Sequence, residues 1–324
     1  MQATRAIIRR TGGPEVIEWE TVDLPPPGPG EVLVEHEAVG LNFIDVYHRN
    51  GIYPGELPSL LGMEAVGIVR AAGTNADFKE GDRVATFGPK RGAYATARVI
   101  AADMLMPVPA DIPAETAAAS LLKGCTAEFL AERCGKVQAG QDVLIHAAAG
   151  GVGQLLVQWA KALGARVIGT VSTEAKAAIA RRAGASDVIR YDHDVVADRV
   201  RELTVGKGVP VVFDGVGQQT WEASLGSAAP RGLIISYGNA SGPVTGVNLG
   251  VLANKGSLFV TRPTLFDYYR DQGDRREGAE RLWTMIRDGK LNVDIGARYP
   301  LIDAGRAHSD LEARKTTGSV LLLP

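Results

Sequence analysis

Short alternating patterns of apolar and polar residues dominate the first 120 residues of the chain. After the proline-rich turn LPPPGPG, the segment EVLVEHEAVG (Glu31–Gly40) alternates as a half-buried strand does. EAVGIVRAAG and DRVATFG continue the pattern, and glycine and aspartate separate these runs as turn signals. Residues 1–120 are therefore predicted to form a β-rich unit.

From residue 141 onward, apolar runs alternate with helical stripes. DVLIHAA precedes a helix that ends at Gly164. The apolar residues of this helix form a single stripe along one face: Val152, Leu155, Leu156, Trp159, Ala160 and Leu163. ARVIGTV precedes the helix TEAKAAIARRAGA, which Gly184 closes. The chain continues with SDVIRY, a helix over Asp194–Leu203, VPVVFDGVG, RGLIISYGN, the helix EGAERLWTMIRDGKL and the strand GSVLLLP. Strands joined by helices through short loops predict a parallel, doubly wound sheet.

Length and charge narrow the function classes. With 324 residues, the chain is expected to form two domains. The net charge of −2 gives no general attraction to nucleic acid or to an anionic membrane. Two cysteines are too few for a disulfide framework or a thiolate zinc cluster. Since no signal peptide or membrane-spanning segment is recognisable, a cytoplasmic location is expected.

A glycine-rich turn, HAAAGGVGQ, lies between the first predicted strand and helix of the α/β region. Helix N-termini carry unpaired N–H groups and a positive dipole end, so a bare turn there can hold a pyrophosphate. The glycine spacing of dinucleotide-binding turns falls on Ala148, Gly150 and Gly153, with alanine in the first place. The turn predicts cofactor contacts at Gly150, Gly151, Val152 and Gly153; the alternative is a tight turn without a ligand.

The end of the second strand bears on the type of nicotinamide cofactor. NAD enzymes commonly place an acidic residue there for the ribose 2′-hydroxyl. This chain has Ser172 and Thr173, with Lys176 one turn into the helix and Glu174 past the usual place. Hydroxyls and a lysine suit a 2′-phosphate, so NADPH is predicted. The alternative for Lys176 is an ordinary solvated helix lysine.

Several motifs together resemble one family along essentially the whole chain. They are GLNFIDVYHRNGIYP, LLGMEAVGIV, GDRVATFG, KGCTA, HAAAGGVGQLLVQWAKALGA, FDGVG, SYGNASGPVTG and GSLFVTRP. They resemble the zinc-free, zeta-crystallin-like quinone oxidoreductases of the medium-chain dehydrogenase/reductase superfamily. The resemblance implies an α/β fold in which a doubly wound Rossmann domain (124–262) binds NADPH. It also implies a β-rich, GroES-like catalytic domain formed by residues 1–123 and 263–324.

Comparison with zinc alcohol dehydrogenases of the same superfamily implies that no metal is bound. Asn42 stands in the place of their cysteine ligand and Met63 in the place of their histidine ligand. An amide and a thioether are not a zinc ligand set. Glu64 is interpreted as the carboxylate that stands behind the metal in those relatives, retained here without it. We expect it to pair with backbone N–H groups or with a cation, for which Arg314 is a candidate.

The resemblance also implies the roles of individual residues. Asn42, Tyr47 and Tyr53 are expected to line the catalytic cleft, where the Asn42 amide or a tyrosine hydroxyl donates to the acceptor oxygen; for each tyrosine the alternative is plain packing. Asp45 is interpreted as a helix-start or cofactor-side acceptor. Further cofactor contacts are expected at Thr126, Tyr191, Gly215, Val216, Tyr237, Gly238, Asn239, Arg262, Thr317 and Gly318, besides Asn42 and Asp45.

Three functions follow from these observations as hypotheses. The first is NADPH-dependent reduction of quinones, which are electrophilic enough to accept hydride without a Lewis acid. The second is reduction of activated double bonds in enones or enoyl thioesters. The third is a non-enzymatic, nucleotide-binding structural or RNA-associated role, which the lack of a basic stripe disfavours. The family commonly forms homodimers through an edge strand, for which GSLFVTRP is the candidate.

Overall fold

A computed structural model describes all residues from 1 to 324. Its strands are β1 (Gln2–Ile8), β2 (Glu18–Asp23), β3 (Glu31–Leu41), β4 (Ser59–Leu60), β5 (Glu64–Ala72), β6 (Arg83–Phe87), β7 (Ala97–Ala101), β8 (Met106–Pro107), β9 (Asp142–Ile145), β10 (Arg166–Val171), β11 (Asp187–Arg190), β12 (Val209–Asp214), β13 (Ala228–Ser236), β14 (Phe259–Thr261), β15 (Ile295–Pro300) and β16 (Ser319–Leu323). Its α-helices are α1 (Phe43–Asn50), α2 (Ala114–Glu128), α3 (Gly151–Ala162), α4 (Glu174–Ala183), α5 (Val196–Leu203), α6 (Trp221–Ser227), α7 (Gly250–Asn254), α8 (Leu265–Tyr268), α9 (Gln272–Arg287) and α10 (Ala304–Glu312). A π-helical turn over Phe129–Cys134 continues α2. None of the helices is both long and apolar enough to cross a bilayer.

The chain divides into two compact units. The first unit comprises Met1–Leu122, Tyr269–Thr284 and Val293–Pro324. The second comprises Lys123–Tyr268 and Met285–Asn292. The chain thus leaves the second unit after Tyr268 and re-enters it at Met285–Asn292, whereas the resemblance implied one boundary at residue 262.

One six-stranded sheet forms the centre of the second unit. Its strand order is β11-β10-β9-β12-β13-β14, and every neighbouring pair is parallel. This is the doubly wound order, in which the chain reverses direction across the sheet between β9 and β12. The central strands β9, β10 and β12 are largely apolar and buried, as expected of parallel strands covered on both faces. The predicted parallel sheet is confirmed.

Local signals position the helix ends in this unit. Thr173 is the N-cap of α4, and its hydroxyl accepts the Lys176 N–H at 3.3 Å. Gly164 and Gly184 have φ of +86° and +109°, the left-handed conformation that ends a helix at little cost for glycine. Both predicted helix stops are therefore correct.

The first unit is rich in strands, as the sequence predicted for residues 1–120. Its strands pair antiparallel except for β15 and β16, which pair in parallel. One sheet has the order β2-β1-β4 and a second has the order β15-β16-β3-β5-β6-β8, with β7 also pairing with β3. The long pairing of β3 with β5 places Gly40 opposite Glu64. A buried cluster between these sheets includes Ile8, Val39, Leu61 and Tyr94.

The last predicted helix is displaced along the chain. The sequence predicted it over residues 277–291, whereas α9 covers Gln272–Arg287. The polar segment Gln272–Arg276 precedes the apolar stripe and forms the first turns, which the hydrophobic period does not reveal. Gly289, with φ of +66°, lies just beyond the helix and keeps residues 288–291 out of it.

Candidate functional site

The glycine-rich turn follows β9 and leads into α3. Gly150 is the N-cap of α3, and its N–H donates to the Ala147 carbonyl at 2.9 Å. A Cβ on Gly153 would overlap that same carbonyl oxygen, so only glycine fits there. The turn therefore exposes backbone at the N-terminus of α3, beside the point between β9 and β12 where dinucleotides bind in sheets of this order.

The first residue of this turn, His146, belongs to a series of buried hydrogen bonds that the sequence patterns do not reveal. His146 is fully buried, with Nδ1 3.0 Å from the Thr170 hydroxyl and Nε2 3.1 Å from the Ser224 hydroxyl. Ser224 in turn donates to Asp214 Oδ2 at 2.7 Å. Since Ser224 has one hydrogen and gives it to the carboxylate, His146 must donate through Nε2–H and accept from Thr170. Burial lowers the pKa of His146, which agrees with a neutral ring.

Asp214 continues this series of hydrogen bonds into the turn after β12. Its Oδ1 accepts the N–H groups of Val216 at 2.9 Å and Gly217 at 3.0 Å. Gly215 in the same turn packs so closely against Tyr237 that a Cβ would lie 2.7 Å from the ring, and a Cβ on Gly238 would overlap the Gly215 carbonyl. The structure thus brings Gly215, Val216, Tyr237 and Gly238 together at the end of β12 and β13.

The ends of β10 and β11 carry the groups expected to select the cofactor. Glu174 is exposed and engaged by two arginines, Arg181 at 2.8 Å and Arg190 at 3.4 Å, and hydrogen bonding to Arg181 lowers its pKa. It is therefore a poor acceptor for a ribose hydroxyl. The register pairs Val171 with Arg190, which places a second cation beside the strand end that leads to Lys176. The sequence pattern does not indicate which residues lie opposite each other in the sheet, so it did not indicate Arg190 as a residue beside the cofactor-selecting strand end.

The first unit carries the predicted catalytic residues, and Asn42 is the most constrained of them. Its side-chain nitrogen lies 2.9 Å from Glu64 Oε2 and 3.3 Å from the Gly40 carbonyl oxygen. Both neighbours accept hydrogen bonds, so both amide hydrogens of Asn42 are committed. The expected donation from this amide to an acceptor oxygen is therefore not supported by the geometry.

Glu64 is fully buried and forms a structural link. Besides the Asn42 amide, its carboxylate accepts the Leu122 N–H within α2 at 2.7 Å. Gly40 makes room for it, because a Cβ there would overlap the carboxylate and lie 2.5 Å from the Ala118 carbonyl. The backbone N–H alternative is therefore confirmed, whereas the candidate cation Arg314 is exposed.

Asp45 anchors the start of α1 and a chain of buried polar groups. Its Oδ2 accepts the Asn42 N–H at 2.9 Å and the Tyr94 hydroxyl at 3.1 Å. The Tyr94 oxygen lies 3.0 Å from His308 Nε2, and Arg49 Nη1 lies 3.1 Å from His308 Nδ1. A guanidinium only donates, so His308 accepts at Nδ1 and donates from Nε2 to Tyr94.

An ion pair between Arg49 and Glu312 lies at the other end of this series of hydrogen bonds. Arg49 is 1% exposed and binds Glu312 through two hydrogen bonds of 2.9 Å. Burial and the neighbouring Arg49 lower the pKa of His308 to about 3. Burial and Asp45 raise the pKa of the Tyr94 hydroxyl. Arg49 donates to His308, His308 donates to Tyr94 and Tyr94 donates to Asp45. This series of hydrogen bonds holds Asp45 in place, and Asp45 in turn binds the Asn42 N–H at the start of α1.

The predicted tyrosines lie together around α1. The rings of Tyr47 and Tyr53 pack edge to face with centroids 5.2 Å apart, and the Tyr53 N–H donates to the Tyr47 carbonyl. Tyr47 is buried, whereas Tyr53 is partly exposed on the segment after α1. The arrangement forms one aromatic surface next to the Asp45 anchor.

The other predicted residues fall in both units. Thr126 is buried within α2, Arg262 is exposed after β14, and Tyr191 is 44% exposed after β11. Gly318 has φ of +64°. Nowhere do three histidine, cysteine or acidic side chains gather as a metal site would require, and Met63 is buried beside Glu64 in the chain.

Comparison with known proteins places these features in a family. The description "Alcohol dehydrogenase GroES-like domain" matches residues 28–110, and "Zinc-binding dehydrogenase" matches residues 151–275. A quinone oxidoreductase of Pseudomonas aeruginosa is 51% identical over 315 residues, which are 97% of each chain. The crystal structure of Escherichia coli quinone oxidoreductase complexed with NADPH is 47% identical, covers 99% of this chain and 100% of its own, and superposes with a TM-score of 0.97. A 2-haloacrylate reductase of a Burkholderia species is 44% identical over 98% of both chains.

Proposed function

Because the chain belongs to the quinone oxidoreductases of the medium-chain dehydrogenase/reductase superfamily, we propose that it is an NADPH-dependent, metal-independent quinone reductase. The observation that carries the proposal is the bare turn at Gly150–Gly153, where a Cβ at Gly153 would overlap the Ala147 carbonyl. When bound, NADPH supplies a hydride to an acceptor that is already electrophilic. The chain's contribution is to bind both molecules and orient them.

The second unit supplies the cofactor contacts in this proposal. Backbone N–H groups at the start of α3 hold the pyrophosphate. Ser172, Thr173 and Lys176 are the groups assigned to the 2′-phosphate, and Lys176 supplies the positive charge. Arg190 is a second cation nearby, but it is bound to Asp192 and Glu174 and would contribute only by exchanging those contacts. The turns at the ends of the strands then edge the cofactor through Thr126, Tyr191, Gly215, Val216, Tyr237, Gly238, Asn239 and Arg262.

The first unit supplies the acceptor contacts. Thr317 and Gly318 close the nicotinamide side, together with Asn42 and Asp45. Since the amide hydrogens of Asn42 serve Glu64 and Gly40, the hydroxyls of Tyr47 and Tyr53 are the candidates for donating to the quinone oxygen. Asn42 then acts by fixing the backbone at the start of α1.

A panel of acceptors with NADPH and NADH tests this function. We expect oxidation of NADPH, followed by the loss of its absorbance, with simple benzoquinones and naphthoquinones, and weak activity with NADH. Matched enones and enoyl thioesters are expected to react more slowly. Tight NADPH binding without turnover of any quinone would contradict the proposal and favour a non-enzymatic, nucleotide-binding role.

Reduction of activated double bonds is the second candidate. Its support is the 44% identity with a protein named 2-haloacrylate reductase. Both reactions use the same hydride donor and need no metal, so the acceptor site decides between them. A kcat/KM for an enone that exceeds the value for every quinone in the panel would favour this alternative.

We further propose that the protein forms a homodimer through β14. This strand is an edge of the six-stranded sheet, and Phe259 and Val260 on it are 62% and 40% exposed. Two such edges, related by a two-fold axis, can pair and remove both exposed edges. Light scattering should give twice the mass of 34.2 kDa, and Phe259→Lys should shift the protein towards the monomer. A monomeric wild-type protein at micromolar concentration would refute this assembly.

A further inference from the structure

Arg91, in the loop between β6 and β7, presents an unpaired guanidinium. Its Nη2 and Nη1 atoms lie 3.2 and 3.3 Å from where a Cβ on Gly55 would be, so the guanidinium covers the backbone of the exposed segment after Tyr53. It forms no hydrogen bond or ion pair with the chain. Glu56, the acidic residue next to Gly55, is exposed and does not pair with it either.

His48 on α1 connects this arginine to the aromatic surface. Its ring packs edge to face against Tyr53 with centroids 5.7 Å apart, and its Nδ1 atom is buried without a hydrogen-bond partner. Burial and the charge of Arg91 lower the pKa of His48 to about 4, so the ring is neutral at pH 7. The positive charge of this cluster therefore belongs to Arg91 alone.

Arg91 lacks the carboxylate partner that several other arginines of this chain have. Arg49, Arg83 and Arg166 each bind a carboxylate within 3 Å. A guanidinium is a planar fork of five donors that fits carboxylate or sulfonate oxygens in a bidentate manner. Arg91 holds such a fork open beside an aromatic surface, with a buried ring nitrogen of His48 in the same cluster.

We propose that Arg91 binds an anionic substituent on the acceptor, so that the enzyme favours quinones that carry a carboxylate or sulfonate group. The inference rests on the proposed quinone reductase function and specifies its substrate class. The acceptor ring packs against Tyr53, and the charged substituent reaches the guanidinium over Gly55. Arg91 acts as a specificity-determining residue and takes no part in hydride transfer.

The test compares 1,4-naphthoquinone with 1,4-naphthoquinone-2-sulfonate in wild type, Arg91→Met, Arg91→Lys and Lys90→Met. Lys90 is exposed and adjacent in sequence, so Lys90→Met removes the same charge without touching the cluster. We expect Arg91→Met to lower the ratio of kcat/KM, sulfonate over neutral quinone, by about 10-fold. Arg91→Lys should give an intermediate loss, and Lys90→Met should change the ratio less than about 2-fold.

A second measurement does not depend on turnover. Naphthalene-2-sulfonate cannot be reduced, and calorimetric titration of the NADPH-loaded protein should show its affinity falling about 10-fold in Arg91→Met and falling with added salt in wild type. Unchanged NADPH affinity verifies that the variants are folded. Equal ratios and equal sulfonate affinities in wild type and Arg91→Met would overturn the inference while leaving quinone reduction intact. Failure of wild type to reduce either quinone would instead overturn the proposed function.

Discussion

His308 makes the stability of the first unit sensitive to acid. Its ring is buried between Arg49 and Tyr94, and its pKa is lowered to about 3 by burial and by Arg49. In the unfolded chain a histidine titrates near 6.5. Since the folded pKa lies below the unfolded value, the stabilisation is complete above pH 6.5. It is lost as the pH falls from 6.5 towards 3.

The size of this loss follows from the two pKa values. At pH 5 nearly every unfolded molecule binds a proton at this position, whereas the folded molecule does not. The difference lowers the free energy of unfolding by about 2 kcal/mol between pH 8 and pH 5. His36 and His48, whose pKa values burial lowers to about 3 and 4, act in the same direction. The share of His308 must therefore be isolated by substitution.

His308→Gln provides that isolation, because glutamine can accept from Arg49 and donate to Tyr94 without titrating. Urea unfolding followed by tryptophan fluorescence at pH 8 and pH 5 gives the loss for each protein. We expect the variant to lose about 2 kcal/mol less than wild type over this range. His193→Gln, at an exposed histidine, is the control and should lose as much as wild type. Equal losses in wild type and His308→Gln would refute the assignment of a buried neutral ring.

Three further predictions concern the cofactor and metal. Gly153→Val should abolish measurable NADPH binding in fluorescence titrations, because its side chain would overlap the Ala147 carbonyl. Normal NADPH affinity in a folded Gly153→Val protein would show that this turn does not bind the phosphates. Lys176→Ala should weaken NADPH binding by about 10- to 100-fold and leave NADH binding unchanged. Equal effects on both cofactors would make Lys176 an ordinary surface lysine. Treatment with chelator should leave quinone reduction intact, and one tightly held zinc per chain would contradict metal independence.

Much of the fold was predictable because its signals are local. The alternation of apolar runs and helical stripes predicted the strand and helix order of the parallel sheet, and Gly164 and Gly184 identified two helix ends. By contrast, β15 has alternating half-buried and exposed residues and no strong apolar run, so the sequence did not reveal it. Its position is decided by parallel pairing with β16.

The candidate site was predictable in composition and less so in geometry. The motifs indicated Asn42, Asp45 and the two tyrosines. The structure places Asn42 and Asp45 at the start of α1, Tyr47 within it and Tyr53 on the segment after it. They did not indicate that Tyr94 and His308, 214 residues apart, form the support behind Asp45. Such pairs depend on tertiary contacts between distant segments, and no periodic pattern marks them. The direction of the Asn42 amide likewise depends on its neighbours.

Glu64 has a structural role that also bears on which acceptors the enzyme can reduce. Its carboxylate binds the Asn42 amide and the Leu122 N–H, so removing it would leave two buried donors without an acceptor. The carboxylate therefore has a structural reason to persist without a metal. Because it holds both Asn42 hydrogens together with Gly40, this amide has no donor left to polarise a substrate oxygen. A site arranged in this way suits an acceptor that is electrophilic before it binds, and a quinone is such an acceptor.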